Sequence, residues 1–356
     1  MDTFYCGNRI SSSHVADKIM STYDDEDECE NERRGSVHGM GDEELIELLD
    51  KMVMDEKARE SSSNLFTDAI YEVAADISMI VCEKVPAEYQ TDRYYFLDME
   101  QHLVYFPYAY DFGPVNLSVI ARFCKHLTEV LQEHPDKIVV LRSPPDRHSS
   151  TNTTFLLGCF LVLEREHESD GLTMPHFKLP ASHIKSFRDA SFLQTKFELT
   201  LRDVWQGLEK AQRQGWISPD SFDLEEYEHY DDPHNGDMHV IIPKKLVALK
   251  GPVDKLANDA DWQDEGSVRL RRFKEMGVKC IIRLNEEKYD PIIFTDNGIE
   301  VVDLYFEDCP VPPSQIVFRF IKMVESTDGM VAVHCDTGLG RTGTLIARGS
   351  PLDGSV

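Results

Sequence analysis

Residues 334–343, HCDTGLGRTG, follow an apolar run and hold the residue types that a phosphoryl-transfer site needs. Cys335 and Arg341 bracket five residues, the spacing of a tight loop that leaves a strand and enters a helix whose N-terminus points back at the sulfur. The backbone N–H groups of Asp336, Thr337, Gly338, Leu339 and Gly340 can converge on phosphate oxygens, and Gly338, Gly340 and Gly343 are expected to supply positive φ angles and close backbone approach. Arg341 can grip two further oxygens in a bidentate fork. The same field favours a thiolate at Cys335, the reactive form. Thr342 is placed to hydrogen-bond the sulfur and ease its departure. His334 is expected to fix the loop backbone from beneath rather than to act as a base.

The reaction this arrangement suits is in-line attack of the Cys335 thiolate on phosphorus, followed by hydrolysis of the phosphocysteine. The departing alkoxide or phenoxide needs a proton. The segment LYFEDCPVPPS, after the preceding strand, offers Asp308 as donor, with Glu307 as the neighbour that could replace it. Each part alone has an ordinary reading, since a cysteine after an apolar strand is usually core and Asp-Cys-Pro is usually a turn. The joint spacing is what specifies a phosphate cradle.

Such a cradle needs a parallel sheet with helices on its faces, and the second half of the chain carries that pattern. VIIPKKLVAL, VKCIIRL, GIEVVDLYF and GMVAVHC read as strands, with EGSVRLRRFKEMG and PSQIVFRFIKMVES as helices between them. The first half repeats the theme. NLSVIARFCKHLTEVLQ places Leu117, Ile120, Cys124, Leu127 and Leu131 on one helical face; TLRDVWQGLEKAQRQGW is a second helix with Thr200 as its cap and Val204, Trp205 and Leu208 facing inward. IVVLRSPPDRHSSTNTTFLLGCF runs strand, polar loop, helix like the cysteine segment, but with neither the cysteine nor the glycines.

These patterns give an α/β chain with a disordered acidic arm over 1–64, an α/β domain over 65–215, an acidic surface linker over 216–238 and a second α/β domain over 239–356. A net charge of −27 on 356 residues argues against nucleic acid and anionic membranes, and favours basic partners. No apolar run approaches the length that spans a bilayer and no secretory leader is evident, so the chain reads as intracellular. The eight cysteines are scattered, without C-x-x-C pairs or zinc spacing, so neither a disulfide framework, a metal nor another cofactor is expected.

Taken in order, YFLDMEQHLVYFPYAYDFGPVNLSVIARFC, FRDASF, EEYEHYDDPHNGDMHVIIP, IIRLNEEKYDPIIFTDNGIEVVDLYFED and VAVHCDTGLGRTGTLIA resemble the mitotic-exit dual-specificity protein phosphatases of the Cdc-fourteen type, within the cysteine-dependent protein tyrosine phosphatases. The resemblance covers residues 65–347. It implies tandem phosphatase-like domains, the first without the nucleophile, acting on phosphoserine/threonine (Ser-Pro type) and phosphotyrosine in cell-cycle control, in the nucleus or cytoplasm. It also implies phosphoprotein substrates with a basic residue just downstream of the phosphosite, read by an acidic groove on Glu228, Asp231 and Asp237.

Three departures bear on activity. Asp336 and Thr337 stand where the family has Lys-Ala, and an added carboxylate disfavours the sulfur anion and repels phosphate, by about 1–2 kcal/mol. Cys309 stands where the acid loop has glycine, which raises a reversible Cys309–Cys335 disulfide that would protect the nucleophile. RGSPLDGSV replaces the continuation of the loop helix, which reads as a truncated or misjoined tail and predicts a less stable product. Two other readings remain open. One is a phosphoprotein-binding pseudophosphatase; the other, a phosphoinositide phosphatase, would want more than the single base Arg341 in the loop.

Overall fold

Runs that are buried on both faces need a covered sheet, and each half of this chain builds a mainly parallel sheet flanked by helices. The computed structural model describes residues 4–6, 69–101, 103–105, 111–172, 174–188, 198–252, 265–308 and 310–349. The chain divides into two compact units between Phe222 and Asp223. That division falls inside the acidic segment 216–238. The segment is not all irregular surface chain, because residues 224–231 form a helix whose N-cap, Asp223, accepts from the Glu226 N–H.

In the first unit the strands are β1 (Phe4–Cys6), β2 (Ile70–Glu72), β3 (Ile77–Val81), β4 (Tyr94–Asp98), β5 (Leu103–Tyr105) and β6 (Ile138–Ser143). β6 lies between β3 and β4, parallel to both, and β2 closes the sheet antiparallel to β3. The helices are α1 (Leu117–Glu133), α2 (Arg147–Arg165) and α3 (Leu201–Arg213). α1 buries Val119, Ile120, Phe123, Cys124, Leu127 and Val130, the expected face turned slightly so that Leu117 and Leu131 stand at its edge. α3 begins as the sequence requires, with Thr200 and Asp203 forming a capping box and Trp205 and Leu208 buried. α2 starts earlier than its polar composition suggests. Asp146 caps it by accepting from the Ser149 N–H at 2.8 Å, so RHSSTN is helix rather than loop.

β1 corrects one expectation. Phe4–Cys6 lie within the stretch assigned to a disordered arm, yet pair in parallel with β5. The three residues FYC favour extended chain, whereas the composition argument averages over the whole arm. The rest of 1–64 lies outside the described residues, as do Cys309, and with it the proposed disulfide, and the tail beyond 349.

The second unit holds β7 (Met238–Ile242), β8 (Leu246–Lys250), β9 (Val278–Arg283), β10 (Glu300–Asp303) and β11 (Met330–Cys335) in the order β10-β9-β11-β8-β7. Its longer helices are α4 (Leu224–Asp231), α5 (Glu265–Met276), α6 (Ser314–Ser326) and α7 (Gly340–Gly349). All pairs are parallel except β7 with β8. VIIPKKLVAL is therefore a hairpin and not one strand, because Pro243 cannot donate to a ladder and Lys244 turns at φ 62°. All six residues of the central β11 are buried. Val331, Val333 and Cys335 face Phe320, Leu345 and Phe306 on one side, while Met330 and Ala332 share a core with Phe273, Tyr289 and Phe294 on the other.

The register of the two sheets corresponds. The last residue of β3 pairs with Ser143 at the end of β6, as the last residue of β8 pairs with Cys335 at the end of β11. Asp98, ending β4, pairs with Arg142, as Arg283, ending β9, pairs with His334. Ser143 thus occupies in the first unit the place of Cys335 in the second, which gives the faint sequence correspondence a structural basis.

Candidate active site

β11 delivers Cys335 to the C-terminal edge of the sheet, at the mouth of a turn that reverses into α7. The turn is tight because two backbones touch. Gly338 has φ 74°, and a Cβ there would lie 2.4 Å from the Leu249 carbonyl oxygen, so only glycine fits. Gly251 is needed for a similar reason, since a Cβ would meet the Cys335 carbonyl oxygen at 2.4 Å, and its N–H donates to the Asp336 carbonyl at 3.1 Å. Gly340 and Gly343 differ from expectation. Neither has positive φ, and a side chain at 343 would meet open space, because α7 has already begun and helical φ suits any residue.

Beneath the loop, His334 is fully buried. Its Nδ1 lies 3.1 Å from the Cys335 carbonyl oxygen and its Nε2 3.0 Å from the Tyr289 hydroxyl. A carbonyl only accepts, and burial holds the Tyr289 phenol above its ordinary pKa, so the tautomer that satisfies both contacts carries its proton on Nδ1 and accepts from Tyr289. Burial lowers the imidazole pKa to about 4, against a smaller opposing pull from the Cys335 carbonyl. His334 therefore stays neutral with both nitrogens engaged, as a backbone support should.

This has a consequence for stability. An unfolded histidine near 6.5 binds a proton that the folded one refuses until about pH 4. The stabilisation is full above pH 6.5 and is lost as pH falls toward 4, by about 3 kcal/mol at its full extent. Urea unfolding of the wild type and of His334→Gln, whose amide can serve both partners, should show the variant losing less stability across that window. Identical pH slopes would mean that His334 does not carry this term.

Arg341 is buried, and its guanidinium spans the loop. Nη1 donates to the Phe306 carbonyl at 3.2 Å, Nη2 to Asp336 Oδ2 at 3.1 Å, and Nε lies 3.5 Å from Asp308 Oδ1 without forming a hydrogen bond. Asp308 is thus the carboxylate of the two that the structure brings to the arginine. Its side chain is 64% exposed, on the loop after β10. Cys335 is buried, 2% exposed, and is a free thiol.

Two expectations are corrected. The Thr342 hydroxyl is buried and makes no hydrogen bond, so its contact with the sulfur is not formed; sulfur is a weak acceptor and offers the hydroxyl little. Asp336 does not simply stand against the thiolate. It is the hub of a polar cluster, with Oδ2 on Arg341, and Oδ1 accepting from Asn285 Nδ2 at 2.9 Å and lying 3.1 Å from Lys288 Nζ. Its carboxylate occupies a guanidinium donor that the cradle was expected to offer to phosphate. Thr337 Oγ1 accepts from the Leu339 N–H at 3.4 Å, and the Leu339 side chain is exposed.

The residues expected to form an acidic groove are only partly at the surface. Asp231, on α4, lies 3.0 Å from His239 Nε2. Asp237 has a largely buried side chain 3.9 Å from Lys250 Nζ, and burial raises its pKa against the pull of Lys250 and Arg269. Glu228 is half-buried on the same helix as Asp231. Sequence reasoning missed Asn285, Lys288 and Tyr289, which come from the loop after β9. The segment NEEKYD was visible as polar chain following a strand, but nothing local shows that it folds over the cysteine loop.

A family model described as "Dual specificity protein phosphatase, N-terminal half" matches residues 74–211, and one described as "Polymorphic toxin system, DSP-PTPase phosphatase" matches 263–350. The chain is 37% identical over 260 residues to the tyrosine-protein phosphatase cdc-14 of Caenorhabditis elegans, covering 71% of this chain and 37% of that protein. It is 32% identical over 298 residues to the human dual specificity protein phosphatase CDC14C, covering 83% and 65%. Identity to human CDC14A is 35% over 256 residues, covering 71% and 43%. The chain therefore spans less than two thirds of the length of these relatives.

Proposed function

The chain belongs to the CDC14-type dual specificity protein phosphatases, and from that premise we propose that it hydrolyses phosphoserine/threonine of the Ser-Pro type and phosphotyrosine through a phosphocysteine at Cys335. Catalysis is assigned to 239–356, and 65–215, with Ser143 in the nucleophile's position, is the non-catalytic domain. Arg341 and the N–H groups of residues 336–340 hold the phosphoryl oxygens, Asp308 protonates the leaving group, and Thr342 turns its hydroxyl to the sulfur as the bond to phosphorus breaks. The names of the relatives further support action on phosphoproteins in cell-cycle control, and the proposal places this inside the cell, in nucleus or cytoplasm.

One observation carries the reading. Arg341 Nε and Thr342 Oγ1, in the segment that follows Cys335, are buried without a hydrogen-bond partner, Nε having only the Asp308 carboxylate 3.5 Å away. Each such group costs about 1–3 kcal/mol, a cost that is repaid when an anion supplies the missing acceptors. The direct experiment is phosphate release from an aryl phosphate and from a phosphoserine-proline peptide by the full chain. No turnover on either, at protein concentrations that saturate both, would sink the proposal.

A second reading, a phosphoprotein-binding pseudophosphatase, is favoured by the Asp336–Arg341 ion pair, since the carboxylate competes for the guanidinium. If so, Asp336→Asn should relieve the competition while keeping the bond from Asn285. We expect the Kd for inorganic phosphate to fall about tenfold, equivalent to about 1.4 kcal/mol of recovered phosphate binding. Titration calorimetry of wild type and variant side by side measures it. An unchanged Kd would show that Asp336 yields to phosphate at no cost.

A further inference from the structure

Asp336, the first residue of the cysteine loop, has a cationic neighbour that the mechanism above does not use. Lys288, on the loop after β9, brings its ammonium to 3.1 Å from Asp336 Oδ1, the oxygen that also accepts from Asn285 Nδ2 at 2.9 Å. Oδ2 of the same carboxylate is held by Arg341 Nη2 at 3.1 Å. One carboxylate is therefore shared by two cations: a buried arginine inside the cradle, and a lysine, 39% exposed, from a neighbouring loop.

The lysine is carried on an anchored stretch. Tyr289, next to it, is buried, with its hydroxyl at His334 Nε2 and its carbonyl accepting from Arg283 Nη1 at 3.2 Å. Three residues before it, Asn285 is buried too, and its Oδ1 makes no hydrogen bond while its Nδ2 donates to Asp336. A buried amide oxygen without a donor is costly, so residues 285–289 serve the Asp336 carboxylate ahead of their own hydrogen bonding.

Charge balance shows what this arrangement can do. Asp336 alone would cancel the guanidinium charge that a phosphoryl group needs. Once phosphate takes Arg341 Nη2, the carboxylate loses that donor and stands beside a second anion, with Lys288 and Asn285 as its remaining partners. With Lys288 in place the carboxylate is neutralised and the arginine charge is left for phosphate; without it, two anions repel. The lysine therefore stabilises the phosphate-bound loop more than the empty one, and only such a difference adds to affinity. We propose that Lys288 is a positioning residue for phosphate binding, which takes Asp336 over from Arg341 as the phosphoryl group enters the cradle. This role rests on the phosphate cradle of the phosphatase reading and adds to it a residue outside the loop, acting through Asp336 and not by touching phosphate.

Titration calorimetry with inorganic phosphate reads this without turnover, in the full chain and in Lys288→Met, Lys288→Arg, Asp336→Asn and the double variant Lys288→Met with Asp336→Asn. Lys288→Met is expected to raise Kd about fivefold, or about 1 kcal/mol, the upper end for a partly exposed ion pair. Lys288→Arg keeps the charge and should stay within about twofold of wild type. In the Asp336→Asn background the same methionine should change Kd by less than about twofold, because no carboxylate is left to neutralise. Thermal melts confirm that each variant is folded. A lysine with a merely structural role would weaken phosphate binding alike in both backgrounds. The proposal is overturned if Lys288→Met leaves Kd unchanged, if arginine fails to restore it, or if the loss persists with Asp336→Asn, which would put the ammonium on phosphate itself. A wild type that binds phosphate with no lysine effect rejects the positioning role alone; a wild type that binds no phosphate rejects the cradle as well.

Discussion

Replacing Cys335 by serine is expected to abolish phosphate release from an aryl phosphate, lowering kcat by about 10⁴-fold or more. A serine hydroxyl at neutral pH needs a base, and the imidazole next to it in the chain is already engaged. His334 is the neighbouring imidazole, but it is committed through Nδ1 to the Cys335 carbonyl and through Nε2 to Tyr289, and it lies below the loop. Cys335 is a free thiol, and in the mechanism proposed above its reactivity rests on the loop field and not on a base. The swap removes one atom's chemistry and leaves Gly338, Gly251 and Arg341 where they are, so a melt should move little. Rates of wild type and variant in the same assay decide it. A serine variant that keeps more than a tenth of the rate would mean that another residue is the nucleophile. A wild type as slow as the variant would leave phosphoprotein binding as the function.

Arg341→Lys should cost about 10²–10³ in kcat/KM, although charge is conserved. The reason is geometric. The guanidinium now holds the Phe306 carbonyl with one nitrogen and Asp336 with another, while its Nε lacks a hydrogen bond. An ammonium is a point charge on a flexible stem and cannot span the loop and present a planar fork to two oxygens at once. Because the arginine is buried beside Asp336 and Asp308, the substitution also tests structure, so the rate must be read with unfolding by urea and with Arg341→Met. If Lys restores stability relative to Met but not activity, the fork itself is what the reaction uses. Retention of a third of the wild-type kcat/KM by the lysine variant would show that the charge alone is sufficient.

How much of this was legible in the chain itself differs from one residue to the next. The cysteine, the arginine and the glycine at 338 are read from spacing, because strand, loop and helix are consecutive, although the Leu249 carbonyl that makes glycine obligatory at 338 and the Phe306 carbonyl that holds Arg341 come from distant parts of the chain. The helices over 201–213 and 314–326 are equally local, the first set by Thr200 and Asp203 as its capping box. The same logic misled at Gly340 and Gly343, where glycine frequency in a motif was taken for steric need, and at 238–250, where two short apolar runs read as one strand.

What the sequence alone determined is the chemistry on offer: a thiol at a strand end, an arginine able to face it, amides between them, and acidic residues in excess. Only the tertiary structure decided how those groups are spent. Asp336 answers to Asn285, 51 residues away, and to Lys288; His334 answers to Tyr289, 45 residues away; Asp237 is drawn inward by the strand that carries Lys250. Such pairings depend on which strands become neighbours and which loops rise beside one another at the sheet edge. Strand order is the outcome of packing the whole sheet, and no local spacing along the chain encodes it.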